Sequence, residues 1–260
     1  MNIIVSIKQV PDTSEVRIDP VTNTIIREGV PAIINPFDEN AIEEALLLRE
    51  QHGGKVTVIS MGPPQAEAAL REALAMGADE AVLISDRCFA ASDTLATSYV
   101  LSTAIRALGE YDLIFCGKQA FDGDTAQVPP GIAEQLGIPQ VTFAIALEVD
   151  GKKVRVRRML ESEFEVVEVR MPALISVVKQ MNEPRRPGIK AKLAAKKKEV
   201  TVWDASCIEA EVCQCGFDGS PTRVVRTFAP SREIEGEKFE GEPRDVATAV
   251  VERLIGEKII

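Results

Sequence analysis

The stretch DLIFCGKQAFDGDTAQVPPGIAE, Asp112 to Glu134, joins a short apolar run to a helical pattern across a loop of small and polar residues. Leu113 to Cys116 has the length and composition of a buried parallel strand, Gly117 ends it, and Ala126 to Gln135 is predicted to form the helix that follows. In the loop, Gly117 and Gly123 are open to backbone angles closed to other residues, and Asp122, Asp124 and Thr125 offer short side chains to cap the helix. A strand, a small-residue loop and a helix N-terminus together suit a nucleotide phosphate, because unpaired helical NH groups point at the ligand and the dipole favours negative charge. The same pattern also describes an ordinary strand-to-helix connection with a good cap, so the rest of the chain has to decide.

Upstream, the pattern alternates strand and helix. Asn2 to Val10 reads as a first strand stopped by Pro11, and Asp12 to Ile26 as a small hairpin or irregular excursion. Ala41, Ile42, Ala45, Leu46 and Leu48 recur at helical spacing after Asn35-Pro36-Phe37-Asp38, with Asp38 or Asn35 as the expected cap. Lys55 to Ser60 is a second strand, followed by a helix through Ala75. Ala81 to Ser85 is a third, followed by a helix from Ser92-Asp93-Thr94 to Leu108. Strands separated by single helices indicate right-handed crossovers and a doubly wound, mostly parallel α/β sheet of Rossmann-like type, with ligands beyond the carboxyl ends of its strands. That edge gathers Ser6 to Lys8, Met61-Gly62, Asp86 to Thr94 and Gly117 to Thr125.

Downstream of Gly137-Ile138-Pro139 the rhythm changes to strands: Val141 to Val149, Lys153 to Leu160, Glu163 to Met171 and Ala173 to Val178, with a hairpin turn at Asp150-Gly151. These predict an antiparallel extension, on which Arg155, Arg157 and Arg158 face Glu161, Glu163 and Glu165 as cross-strand charge pairs. From Asn182 periodicity is lost. Glu183 to Gly188 is a stiff linker, Lys190 to Lys198 a basic helical stretch, and Asp245 to Ile255 a final helix. The expected division is therefore a nucleotide-binding domain over 1–182 and an arm over 183–260 that lies on another chain, since structureless segments of such length are rare in compact domains.

Composition narrows the chemistry. A net charge of −10 over 260 residues argues against nucleic acid as a partner, because phosphate backbones need a concentrated basic face. The apolar start MNIIVSIKQV has neither a basic lead nor a cleavage site, and no apolar run reaches membrane-spanning length, so the expectation is a cytoplasmic protein without a membrane role. Five cysteines and one histidine, His52, disfavour both disulfide scaffolding and a metal centre. His52 stands at a helical C-terminus and reads as a dipole partner there. A nucleotide-hydrolysing module fits the parallel sheet, but no GxxxxGK run is present.

Several motifs together resemble the beta, or small, subunit of electron transfer flavoproteins: Lys8 to Thr13, Asn35-Pro36-Phe37, Ala73 to Asp79, Gly117 to Ala120 with Asp122, Asn182-Glu183-Pro184-Arg185, and the lysine-rich segment ending at Lys198. Arg158, Glu161, Glu163, Glu165 and Pro172 resemble the family signature, with Ser162 departing where an acid or glycine is usual. The resemblance implies a heterodimer in which an alpha subunit carries one FAD and this chain binds an adenine nucleotide. In the simpler branch that nucleotide is AMP, which supports structure. In the electron-bifurcating branch it is FAD, which accepts hydride from NADH. Electrons then pass to ferredoxin or flavodoxin and, through the alpha-subunit FAD, to an acyl-CoA dehydrogenase. Val10 to Thr13, Ser92 to Thr97 and Asp122 to Val128 look like the bifurcating branch, and a larger side chain at Gly123 is expected to crowd the flavin. The cofactor then does the redox chemistry, and the chain acts as an electron carrier with NADH-dependent flavin reduction rather than through an acid or base of its own.

By the same resemblance the cofactor site comprises Ser6, Ile7, Lys8, Asn35, Asp38, Met61, Gly62, Thr94 and Thr97. It continues through Gly117, Lys118, Gln119, Ala120, Asp122, Gly123, Asp124, Thr125, Ala126, Gln127 and Val128. Asn182, Glu183, Pro184 and Ile189 match the family's recognition loop for acyl-CoA dehydrogenases.

Overall fold

The computed structural model describes residues 1–12, 31–225 and 236–260. Most of the expected hairpin at Asp12 to Ile26, together with Thr13 of the first family motif, lies outside them.

Two units are present, Met1–Val225 and Arg226–Ile260. In the first, the strands are β1 (Asn2–Ser6), β2 (Gln9–Pro11), β3 (Ala32–Ile34), β4 (Lys55–Met61), β5 (Glu80–Ile84), β6 (Leu113–Gly117), β7 (Gln140–Asp150), β8 (Lys153–Met159), β9 (Phe164–Arg170), β10 (Ala173–Val177) and β11 (Thr201–Trp203). The helices are α1 (Pro36–His52), α2 (Glu67–Met76), α3 (Thr94–Leu108), α4 (Val128–Leu136) and α5 (Ile189–Ala195). Among the described residues nine strands form one sheet in the order β11-β5-β4-β1-β6-β10-β7-β8-β9, while β2 and β3 pair antiparallel with each other. The expected α/β sheet is thus present. The first strand, however, is two: it leaves the sheet after Ser6, and Gln9–Pro11 pairs with Ala32–Ile34.

The central strands read as unbroken apolar runs because both faces are covered. Successive side chains point to opposite sides. Ile3, Val5, Leu113 and Phe115 enter a core under α1, α2 and α5, whereas Ile4, Ile114 and Cys116 enter a second core under α3 and α4. Between α3 and α4 the backbones come close at Gly131, where a Cβ would lie 2.9 Å from the Ser98 Cβ. No helix among the described residues is long and apolar enough to cross a membrane.

Two expectations need correction. The four late strands are not a simple antiparallel succession: β10 pairs parallel with β6 on one side and β7 on the other, and only β7-β8-β9 run antiparallel. A fully buried five-residue strand gains more from a place inside the sheet than at its edge. Among the expected charge pairs, Arg158–Glu165 stands at 3.6 Å, but Arg155 meets Glu168 at 3.7 Å and Arg157 lies over the Phe164 ring.

Residues 183–225 belong to the first unit. β11 adds to β5, and α5 packs on α2, where the Arg71 guanidinium donates to the carbonyls of Ala195, Lys196 and Lys198. Ala205, Ile208 and Cys215 are buried in the α3/α4 core. The second unit contains α6 (Pro243–Gly256), whose Val251 and Ile255, followed by Ile259, expose apolar side chains at four-residue spacing.

Candidate functional site

The carboxyl ends of β1, β4, β6 and β10 meet where the strand order reverses, the position at which open α/β sheets leave a crevice. Ser6 shares its parity with Ile4, and Met61 packs with the α3/α4 core, so both face the N-termini of α3 and α4. Ile7 points to the opposite core, and its NH is taken by the Ile59 carbonyl at 2.9 Å.

The loop after β6 has a pinned half and a free half. In the pinned half, Gly117 NH donates to Asp38 Oδ1 at 3.1 Å, Lys118 NH to the Val177 carbonyl at 2.8 Å and Phe121 NH to Asn35 Oδ1 at 3.0 Å. Asn35 Nδ2 donates to the Gln119 carbonyl at 2.9 Å, and the Lys118 ammonium lies over the Phe143 ring. Asp38 or Asn35 was expected to cap α1, yet the helix has no side-chain capping bond: both are buried and spend their side-chain polar atoms on the segments that follow β1 and β6. Burial pushes the Asp38 carboxyl up to about 7, against the lowering pull of the Asn35 side chain and the Lys8 and Gly117 NH groups.

Gly117 is required for a reason other than the expected one. Its φ is not positive, but a Cβ there would collide with Asp38 Oδ1 and lie 2.7 Å from the Phe37 carbonyl carbon and Cβ. Gly123 likewise has no positive φ; the left-handed residues are Asp124 (φ 52°) and Ala126 (φ 54°). Non-glycine residues in that region cost on the order of 1 kcal/mol each and concentrate at functional sites.

In the free half, Asp124 NH returns to the Ala120 carbonyl at 2.9 Å. The NH groups of Asp122, Gly123, Thr125, Ala126, Gln127 and Val128 meet no acceptor among the described residues. Asp122, Asp124 and Thr125 do not cap α4, which begins at Val128 with Gln127 at the N-cap position and no side-chain capping bond. Asp122 instead pairs with the Lys8 ammonium at 2.6 Å, and Asp124 accepts from Gln119 Nε2. The Thr94 hydroxyl donates to Gln127 Oε1 at 3.0 Å, tying the starts of α3 and α4 together, and Thr97 lies one turn further along α3. At Gly62 a Cβ would lie 3.0 Å from the Ala66 Cβ, so β4 turns tightly into α2.

This donor set fits a nucleotide diphosphate. Successive NH groups around left-handed residues, followed at Gln127 by the right-handed φ −93°, have the backbone form that anion-binding concavities use. A Cβ at Gly123 would find nothing within 4 Å, leaving that side of the loop open. Among the described residues no group of three or more His, Cys, Asp or Glu side chains is placed to hold a metal ion.

Two features escaped the sequence analysis. Phe121, half exposed, stands on the loop between its two halves, and its signal was an aromatic in a polar stretch. The segment Asn182–Arg185 is clamped by α1: Asn40 Nδ2 donates to Asn182 Oδ1 at 3.0 Å, and Arg185 Nε donates to Glu43 Oε2 at 2.8 Å and Nη1 to Glu50 Oε1 at 2.6 Å. The sign of it was a run of acids on a helix face that otherwise reads as solvated. Ile189, four residues on, is 80% exposed.

The electron transfer flavoprotein domain profile matches residues 22–207. The electron transfer flavoprotein subunit beta of Thermoanaerobacterium thermosaccharolyticum is 57% identical over 261 residues, covering 100% of both chains. Protein FixA of Azorhizobium caulinodans is 51% identical, covering 90% of this chain and 86% of its own. The caffeyl-CoA reductase-Etf complex subunit CarD of Acetobacterium woodii is 45% identical over the full length of both.

Proposed function

The chain belongs to the electron transfer flavoprotein family, as a beta subunit, and on that premise we propose that it holds FAD at the carboxyl edge of its sheet within a heterodimer. The observation that carries this reading is the set of NH groups at Asp122, Gly123 and Thr125 to Val128, which meet no acceptor among the described residues, beside open space at Gly123. Bound there, FAD would supply the redox chemistry that the side chains lack: two electrons accepted from NADH, one released to ferredoxin or flavodoxin and one through the alpha-subunit FAD to an acyl-CoA dehydrogenase.

The residues have distinct tasks in this scheme. Backbone NH groups of the free half grip the diphosphate, and Lys8 exchanges its Asp122 partner for phosphate oxygen. Thr94 and Gln127 hold the two helix starts at the right separation, Ser6 and Met61 floor the nucleotide, and Asn35 and Asp38 act from below by fixing the loop. The similarity to FixA and CarD supports the bifurcating branch, and CarD's name, which joins such a subunit to a CoA-ester reductase, supports an acyl-CoA dehydrogenase as docked partner. Asn182, Glu183, Pro184 and the exposed Ile189 form its contact. The apolar stripe of Val251, Ile255 and Ile259 engages the alpha subunit, and the heterodimer works in the cytoplasm.

Flavin counting tests the proposal. Denaturing the purified heterodimer should release two FAD per pair. One FAD with one AMP would replace the redox role by a supporting one.

A further inference from the structure

We propose that Asp38 is a positioning residue whose carboxylate couples nucleotide binding to the uptake of a proton. The inference rests on the reading that this chain binds FAD. It starts from one geometric fact: Asp38, 5% exposed, bridges the ends of neighbouring strands, accepting the Lys8 NH on Oδ2 at 2.7 Å and the Gly117 NH on Oδ1 at 3.1 Å. It is thus a buried acid directly under the first residue of the nucleotide loop.

Among the described residues few charged and titratable groups surround it, and the Lys118 ammonium, next to Gly117, lies over the Phe143 ring. From the end of β1 comes Lys8, whose ammonium is turned toward Asp122 on the loop. From β6 comes Cys116, whose thiol is pushed far up by burial first and by the Asp38 charge second. β10 brings only the uncharged Ala173–Val177. On α1 itself, Asn35 is neutral, and the carboxyl of Glu39 is raised by its own burial and by Glu72. Lys8, drawn from Asp122 to the phosphate, compensates only part of the charge that a diphosphate adds at this mouth. Burial already holds the Asp38 carboxyl near neutrality, at about 7.

A diphosphate seated on the NH groups beyond Gly117 adds a second negative charge. Like charge disfavours the carboxylate and raises its pKa further, by about one unit. By linkage, FAD then binds the protonated form more tightly. The protonated carboxyl keeps acceptor capacity for the Lys8 and Gly117 NH groups, so the loop stays in place. The diphosphate of FAD is a diester without a proton that titrates in this range, so uptake reports on the protein.

Calorimetric titration of the full-length, nucleotide-free chain with FAD, in buffers of differing ionisation enthalpy, reads the effect. The expected result is uptake of about half a proton per FAD near pH 7.5 and a roughly tenfold weaker affinity at pH 9 than at pH 6. Asp38→Asn should abolish both. Infrared difference spectra of the wild-type chain, which do not depend on that variant folding, should show a protonated-carboxyl band growing as FAD is added at pH 7.5. Binding without proton uptake or without that band overturns the inference and leaves the FAD reading standing, as does uptake that persists in Asp38→Asn. Absence of FAD binding at every pH removes the FAD reading, and the inference with it.

Discussion

From Gly117 to Phe121 the connection between β6 and α4 is pinned from below by Asn35 and Asp38, whereas from Asp122 to Val128 every NH group but that of Asp124 meets no acceptor among the described residues. The first half spends its polar atoms on the protein and the second leaves them for a ligand. Buried polar groups must be paired for the fold to stand, while exposed ones can wait for a partner. The difference teaches that the site is a finished floor carrying an unfinished rim. Substitutions in the floor should therefore register as stability, and those in the rim as occupancy.

The largest expected effect is in the floor. Gly117→Ala places a methyl against Asp38 Oδ1 and 2.7 Å from Phe37 atoms, and should cost about 3 kcal/mol in urea unfolding, since rigid backbone cannot yield as a side chain can. Next, Asn35→Ala leaves the Gln119 carbonyl and the Phe121 NH unpaired and should cost about 2 kcal/mol. Asp38 gives the floor a pH signature. Its folded-state pKa, about 7, lies above the ordinary 3.8, so the native state binds the extra proton between those values and stability falls as pH rises through that window. The slope is at most about 1.4 kcal/mol per pH unit. Asp38→Asn should remove this part of the slope in unfolding curves recorded from pH 4 to 8. The smallest stability effect belongs to the rim: Gly123→Leu meets open space and should change stability by no more than about 0.5 kcal/mol while lowering flavin occupancy of this subunit and sparing the alpha flavin. Retained occupancy would dissolve the distinction between the halves.

Most of the fold was legible because buried parallel strands such as Leu113–Gly117 read as short apolar runs closed by glycine, with periodic helices between them. Strand order was not legible where it depends on distant partners: nothing local in Ala173–Val177 says that it inserts between β6 and β7. Residues 204–222 looked coreless because they dock through scattered side chains and single bonds, among them Gly216 NH to Ser92 Oγ at 3.2 Å and Thr222 NH to Asp93 Oδ2 at 3.0 Å. The position of the site was readable and its construction less so. Asp38 near a helix start has the composition of a cap, and only the tertiary approach of β1 and β6 turns it into a brace. Gly117 was found for its permissive backbone, although what it provides is room.

Amide hydrogen exchange on the full-length chain, with and without FAD, tests the floor-and-rim account most directly. The account predicts that Gly117 and Phe121 are protected before FAD is added, and that Asp122, Gly123 and Thr125 to Val128 exchange freely until FAD slows them. Protection of those residues without nucleotide, or exchange there that FAD leaves unchanged, would contradict it.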